Sequence, residues 1–337
     1  MSGSARFTWQ AVPQRLSFFV ANTTTQSTIS SRGQATPDNQ QLTFETSAGA
    51  DLRLNSFAAQ YATIGYEFTR RTRDTVGQDS NRHTGSASYA MPFSETNRIQ
   101  LNGSISETQY DDPNLDPDLT GYNVNIQYVD TNEDIDFDGK VGASKFDRSG
   151  GLEDTDWETT YSLSLTWRVT GVTTMGLSAS RSLDDDSLSS TRGLPDFGEE
   201  PNENSALSEP VVNTHINATL STRLGHNDLS LNVFYREQEY ETTLPDENSV
   251  GASLGLGRNL RRDLRASLYA NYDTVNFDFD NRDDDRYRTG LRISWSHWRR
   301  LNFNATVGYN WTDSDDPAIE FDEWTATLGL SYRLIPW

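Results

Sequence analysis

The chain has 337 residues, no cysteine, 34% hydrophobic residues, a mean hydropathy of -0.70 and a formal net charge of -21. That negative balance excludes a nucleic-acid partner, which demands basic patches, and no stretch approaches the roughly 20 apolar residues of a spanning helix. It does not exclude a membrane barrel, in which only the lipid face must be apolar and alternate residues can be Ser, Thr, Asn or Gly.

Met1–Ser4 shows neither a basic n-region nor an apolar h-region, so an export signal is expected to have been removed. The absence of cysteine fits an oxidising compartment whose proteins do without disulfides. Phe7-Thr8-Trp9 reads as the tail of a short strand turning at Val12-Pro13-Gln14, which makes residues 1–14 a terminal extension or partial strand. Leu16, Phe18 and Val20 begin a strand expected to fade into the Ser/Thr-rich stretch Asn22 to Gln40. Alternation resumes at Leu42, Phe44, Thr46, Ala48, Ala50 and Leu52, and again at Ala62, Ile64, Tyr66 and Phe68. It recurs at Ala87–Met91, Ile99–Ile105 and Tyr122–Tyr128, more weakly at Ile135–Ala143, and strongly from Trp157 to Trp167. Met175, Leu177 and Ala179 precede a long loop. Beyond it come segments at Val212–Leu224, Leu229–Tyr235, Val250–Leu256 and Leu264–Tyr272.

The last 51 residues, Tyr287 to Trp337, hold the clearest pattern. Tyr287, Thr289, Leu291, Ile293 and Trp295 share one face; so do Leu301, Phe303, Ala305, Val307, Tyr309 and Trp311; so do Trp324, Ala326, Leu328, Leu330, Tyr332 and Leu334. A period of two means a strand, because successive side chains point to opposite faces. Soluble strands usually keep it for about five or six residues, whereas a bilayer crossed at a tilt requires about ten. The pattern predicts an all-β chain: a transmembrane, antiparallel, up-and-down β-barrel of about 16 strands (14–18), one domain over residues 1–337. Short turns, several Arg-rich, alternate with long acidic loops, of which Leu183–Ser208 and Asp313–Glu323 are the densest. That asymmetry predicts periplasmic turns and extracellular loops.

Trp157, Trp167, Trp295, Trp311 and Trp324 fall at the ends of apolar faces and read as lipid-interface anchors. The opposite face is small and polar, too slight to fill a barrel of this width. Arg53, Glu67, Glu158, Arg168, Arg223, Arg265, Arg288, Arg292 and Arg333 fall on it, the arginines facing Glu45, Asp51, Glu67 and Glu158. They predict a water-filled lumen that steers a charged or hydroxyl-rich solute, or a wet wall whose charges pair with one another. A lumen plugged by a loop such as Leu183–Ser208 is the other expectation.

Three motifs are weighed and set aside. Asp134-Ile135-Asp136-Phe137-Asp138-Gly139 copies half a calcium loop, but Lys145 stands where the closing glutamate belongs. His83, His215, His226 and His297 show no metal-ligand spacing. His215 near Asn213 and Asn217 lacks a distinctive serine to make a hydrolase dyad. No metal, cofactor or enzymatic activity is expected.

Segments such as Leu163-Ser164-Leu165-Thr166-Trp167-Arg168 and Leu328-Gly329-Leu330-Ser331-Tyr332-Arg333-Leu334 resemble bacterial outer-membrane β-barrels over nearly the whole chain. They look most like porin-like barrels associated with exopolysaccharide systems. The end departs from the usual assembly signal, since Trp337 is out of phase with Tyr332 and Pro336 intervenes. The resemblance implies passage or export of a small polar solute or a polysaccharide across the outer membrane. The alternative is a structural barrel acting as sleeve or anchor for a partner protein. Expected partners are outer-membrane lipid and lipopolysaccharide, the barrel assembly machinery, and a secretion or polysaccharide-synthesis component.

Overall fold

A computed structural model describes residues 3–28, 40–55, 60–74, 79–111, 117–149, 155–185, 210–240, 246–277, 282–297, 301–315, 317 and 320–332. Among the described residues every regular element is a strand: β1 (Gly3–Val12), β2 (Leu16–Thr28), β3 (Gln40–Asn55), β4 (Tyr61–Arg73), β5 (Ser80–Pro92), β6 (Asn97–Tyr110), β7 (Leu119–Thr131), β8 (Ile135–Arg148) and β9 (Glu158–Thr170). They continue as β10 (Thr173–Asp185), β11 (Pro210–Leu224), β12 (Asn227–Tyr240), β13 (Glu247–Asn259), β14 (Leu264–Phe277), β15 (Arg282–His297), β16 (Leu301–Ser314) and β17 (Phe321–Tyr332). Each pairs antiparallel with the next, from β1–β2 to β16–β17. Among the described residues no register joins β17 to β1, and these two strands run in the same direction.

The described residues form 17 strands, within the expected range of 14–18; a first correction is that the Trp9 segment is a full strand and not a terminal extension or partial strand. Its ladder on β2 runs from Gly3↔Thr24 to Val12↔Leu16, and Trp9 stacks on Phe18 at 5.7 Å. A second correction concerns β2, which does not fade at Asn22 but continues to Thr28. Threonine suits a strand as well as valine does, and the Asn22 amide donates to Thr46 Oγ1 at 2.9 Å. Loss of apolar alternation there marks the edge of the lipid belt, not the end of the strand.

Connections at one end are short throughout: 13–15, 56–60, 93–96, 132–134, 171–172, 225–226, 260–263 and 298–300 separate consecutive strands. At the tightest, Gly225 adopts φ +65°, where a side chain would strain the backbone. The other end carries the longer connections, up to 186–209. We refer to these as the turn end and the loop end.

Alternation sorts the side chains in a sense opposite to a soluble sandwich. Apolar residues are the open ones: Ile105 is 56% exposed and Val124 46%, whereas their chain neighbours Ser106 and Asn125 are both 9%. A curled sheet splays its outer side chains and crowds its inner ones, so the apolar face is outermost. That arrangement is stable only where hydrocarbon replaces water.

Two aromatic tiers bound this face. At the turn end Trp167 and Trp295 sit beside the connections, the Trp295 indole N–H donating to Asp263 at 3.0 Å. Trp157 stands at the loop end, where Trp311 stacks on Tyr287 (4.8 Å), Tyr287 meets Tyr272 (4.9 Å) and Trp324 meets Tyr309 (4.9 Å). Trp157 and Trp167 are ten residues apart, roughly 33 Å along a strand and about 25 Å of height at a tilt near 40°. A lipid-facing band of barrels is about 25 Å tall, so the spacing suits a bilayer.

Candidate functional site

The inner face is the part of the molecule able to meet a solute, and its chemistry falls into three tiers. At the turn end Arg168 forms an ion pair with Asp136 and donates to the carbonyls of Asn132 (3.2 Å) and Glu133 (3.1 Å). Arg265 pairs with Asp228, which lies opposite Arg223 in the β11–β12 register. Arg53 lies over the ring of Tyr61 at 3.7 Å. Arg53, Arg168, Arg223 and Arg265 therefore gather at one mouth, because each sits within three residues of a short turn. Asp136 belongs to this pairing, and no group of three metal-ligating side chains occurs among the described residues.

The middle tier is mostly uncharged. Gln100 donates to Asn102 (2.6 Å), Asn102 to Asn125 (2.8 Å), Asn125 to Asn123 (2.7 Å) and Asn123 to Ser144 (2.6 Å). This amide chain crosses β6, β7 and β8 and satisfies the polar groups laterally, so the wall keeps its shape without filling the interior. Glu67 occupies the corresponding height of β4, between Gly49 and Thr84. Arg288 and Arg292 lie on β15, the latter donating to Thr306 at 3.4 Å. Arg333 lies outside the described residues.

The loop-end tier is the most enclosed, and sequence reading missed it. Arg71, whose side chain is 4% exposed, pairs with Glu45 at 3.0 Å. Asp284 is held by Arg282 at 3.0 Å and by the Ser314 hydroxyl at 2.5 Å, with Arg286 at 3.9 Å. Gln238 donates to Asn213 at 2.9 Å, and Arg82 to Ser106 at 3.2 Å. The expectation that Arg53, Arg168 and their group face Glu45 and Glu158 is corrected here. Glu45 serves Arg71, and Glu158 serves Arg181 (3.3 Å), which also binds Glu239 (3.1 Å). Arg181 lies opposite Tyr161, on the apolar-facing parity, four residues from the loop-end Trp157. Extending the strand phase past the last apolar residue would have found Arg71, which follows Glu67 and Thr69 in step.

The outer face has its own concavity, a groove of about 900 Å³ over β4–β7. Ile64, Ala87, Gly103 and Val124 line it, with Trp157 at the loop end. Its apolar walls and its place in the lipid belt suit acyl chains rather than a solute.

Known proteins agree with this geometry. A family sequence model described as "Putative beta-barrel porin 2" matches residues 215–334, the segment from β11 to β17. No curated protein matches the sequence. Among solved structures, the siderophore receptor PirA from Acinetobacter baumannii superposes with a TM-score of 0.61 at 11% identity, over 98% of this chain and 64% of that one. The FrpB iron transporter from Neisseria meningitidis (F5-1 variant) gives 0.57 at 8%, over 98% and 71%. The siderophore receptor PiuA from Acinetobacter baumannii gives 0.51 at 11%, over 97% and 66%. At such identities the likeness is one of fold. Strand length, inverted alternation, paired aromatic tiers and these barrel neighbours lead to one conclusion: the chain is a β-barrel of the bacterial outer membrane, similar to the porin family over residues 215–334.

Proposed function

We propose that the protein is a pore that passes polar solutes, or an extended polysaccharide, along its inner face. The observation that carries this reading is the middle tier, where an amide and hydroxyl surface across β6–β8 stands in place of the packed apolar interior of a closed small barrel. Such a wall exchanges hydrogen bonds with a hydroxyl-rich solute at little cost, because water and sugar hydroxyls make equivalent partners. Purified protein in a planar bilayer should produce stable stepwise currents of nanosiemens scale. Silence at every applied voltage would remove the open-pore reading.

A second reading draws on the crowded loop end, where Gln238 and Asp284 are each 1% exposed. A sleeve occupied by a partner protein would be closed in this way. Co-purification from native membranes, followed by identification of what accompanies the barrel, separates the two. A secretion or polymer-synthesis component bound without any conductance supports the sleeve.

A further inference from the structure

Three arginines within five residues, Arg258, Arg261 and Arg262, mark the connection between β13 and β14 at the turn end. All three side chains are exposed, and among the described residues none takes part in a hydrogen bond, an ion pair or a ring contact. The connection itself is tied to the hairpins on both sides. The Asn259 N–H donates to the His226 carbonyl at 2.9 Å and the Ser296 N–H to the Asp263 carbonyl at 2.8 Å. The Trp295 indole N–H donates to the Asp263 carboxylate at 3.0 Å. The rim is not basic all round: connections 93–96 and 132–134 carry Glu95, Glu133 and Asp134 and no base.

The place of this cluster decides what it meets. The registers align Asn227, Arg258, Ala266 and Ile293 in one row of the apolar parity across β12, β13, β14 and β15. Leu256, two residues before Arg258 on that parity, is 45% exposed, and Leu260 in the connection is 55% exposed. The next row towards the turn end pairs Leu264 with Trp295, a member of the turn-end aromatic tier. Arg258 therefore continues the lipid-facing rows to the edge of the belt, and Arg261 and Arg262 follow just outside it. A guanidinium at that border keeps its stem along apolar surface and its charge among the headgroups.

We infer that Arg258, Arg261 and Arg262 form a docking site for the headgroup of an anionic phospholipid in the leaflet that meets the turn end. Guanidinium forks match the geometry of a phosphate, and basic residues beside a membrane are drawn to anionic lipid. A zwitterionic headgroup brings a cation of its own to the same place, so a net-negative lipid is the better ligand. The patch is continuous with the lipid belt, which sets it apart from the arginines of the inner wall. It does not depend on whether the lumen conducts.

The test titrates phosphatidylglycerol or phosphatidylcholine into the protein in uncharged detergent micelles and follows the thermal unfolding midpoint. A ligand bound to the folded state raises that midpoint. Phosphatidylglycerol should raise it at lipid fractions where phosphatidylcholine has little effect. The triple variant Arg258→Gln/Arg261→Gln/Arg262→Gln should need roughly tenfold more phosphatidylglycerol or more, since each basic residue near an anionic surface contributes about fivefold. Arg261→Gln alone should show a smaller loss in the same direction, which keeps the test decisive if the triple variant folds poorly. Arg15→Gln/Arg98→Gln removes charge elsewhere at the same end and should keep the wild-type response. An unchanged triple variant, or equal losses in the triple variant and this control, overturns the site. A wild type that does not distinguish the two lipids also overturns it and leaves an acidic protein as the reader of the patch. Equal stabilisation by inorganic phosphate would make it a free-phosphate site, and a stronger response to lipopolysaccharide would assign it to the other leaflet; either result overturns the proposal.

Discussion

The space above Gly290 and Gly308 is taken by the hydroxyl end of Tyr269, so these positions tolerate no side chain without movement of the ring. Gly290→Ala should therefore cost about 1–3 kcal/mol, the usual effect of overpacking. A Cβ on Gly85 would meet no atom within 4 Å, and Gly85→Ala should be close to neutral. Urea unfolding in micelles measures both, and equal effects would show that Tyr269 does not lie against the wall. Charge pairs differ in the same way. Asp284 is 1% exposed and bound by Arg282 and Ser314, so Asp284→Ala leaves a buried guanidinium uncompensated and should cost about 3–5 kcal/mol. Lys145 and Asp147 form a more open pair, 25% and 38% exposed, and Lys145→Ala should cost less than about 1 kcal/mol. The same unfolding assay ranks them; a mild Asp284→Ala would mean that the loop-end tier is open to water.

At the scale of one strand, β9 shows why face matters more than composition. Leu165 lies opposite Leu177 on β10 and Phe137 on β8, within the lipid belt. Ser164, one residue earlier, lies opposite Ser178 and Asp138 on the inner face. Leu165→Arg should destabilise the barrel, by somewhat less than the roughly 2–4 kcal/mol of a cation at the bilayer midplane because Trp167 sets the interface two residues away. Ser164→Arg should be tolerated, since the new cation meets water and the Asp138 carboxylate. Comparable losses from the two substitutions in reversible folding into vesicles would reverse the assignment of faces.

For the whole molecule, the separation of charge along the axis governs behaviour at the membrane. The net charge of -21 is concentrated in the long connections, above all 183–208, where Arg192 is the sole base among Asp184, Asp185, Asp186, Asp196, Glu199, Glu200 and Glu203. Residues 186–209 and Arg192 with them lie outside the described part, as do 316, 318 and 319 of the Asp313–Glu323 loop, so the expectation rests on their sequence. With the turn end in the periplasm, these loops face outward, and divalent cations would offset their repulsion by bridging carboxylates to lipopolysaccharide phosphates. Protease added to intact cells should cleave within 183–208 and leave the strands whole, more slowly when calcium or magnesium is present. Cleavage only after the outer membrane is broken would invert the barrel.

Alternation alone was enough to identify most of the strands and a membrane barrel, because a period of two maintained for ten residues has one physical use in a chain this polar. It also puts Arg288 and Arg292 on the inner parity, since phase carries along a strand without reference to its neighbours. Three things depended on the tertiary structure. The full extent of the strand at Trp9 and the far half of β2 became visible only through their ladders, as Ser and Thr carry no apolar signal. The partners of Glu45 and Glu158 depended on register, which brings together residues 26 and 23 positions apart. The placement of the Tyr269 ring depended on three strands aligning two glycines beneath it, a coincidence across hairpins that no single stretch of sequence records.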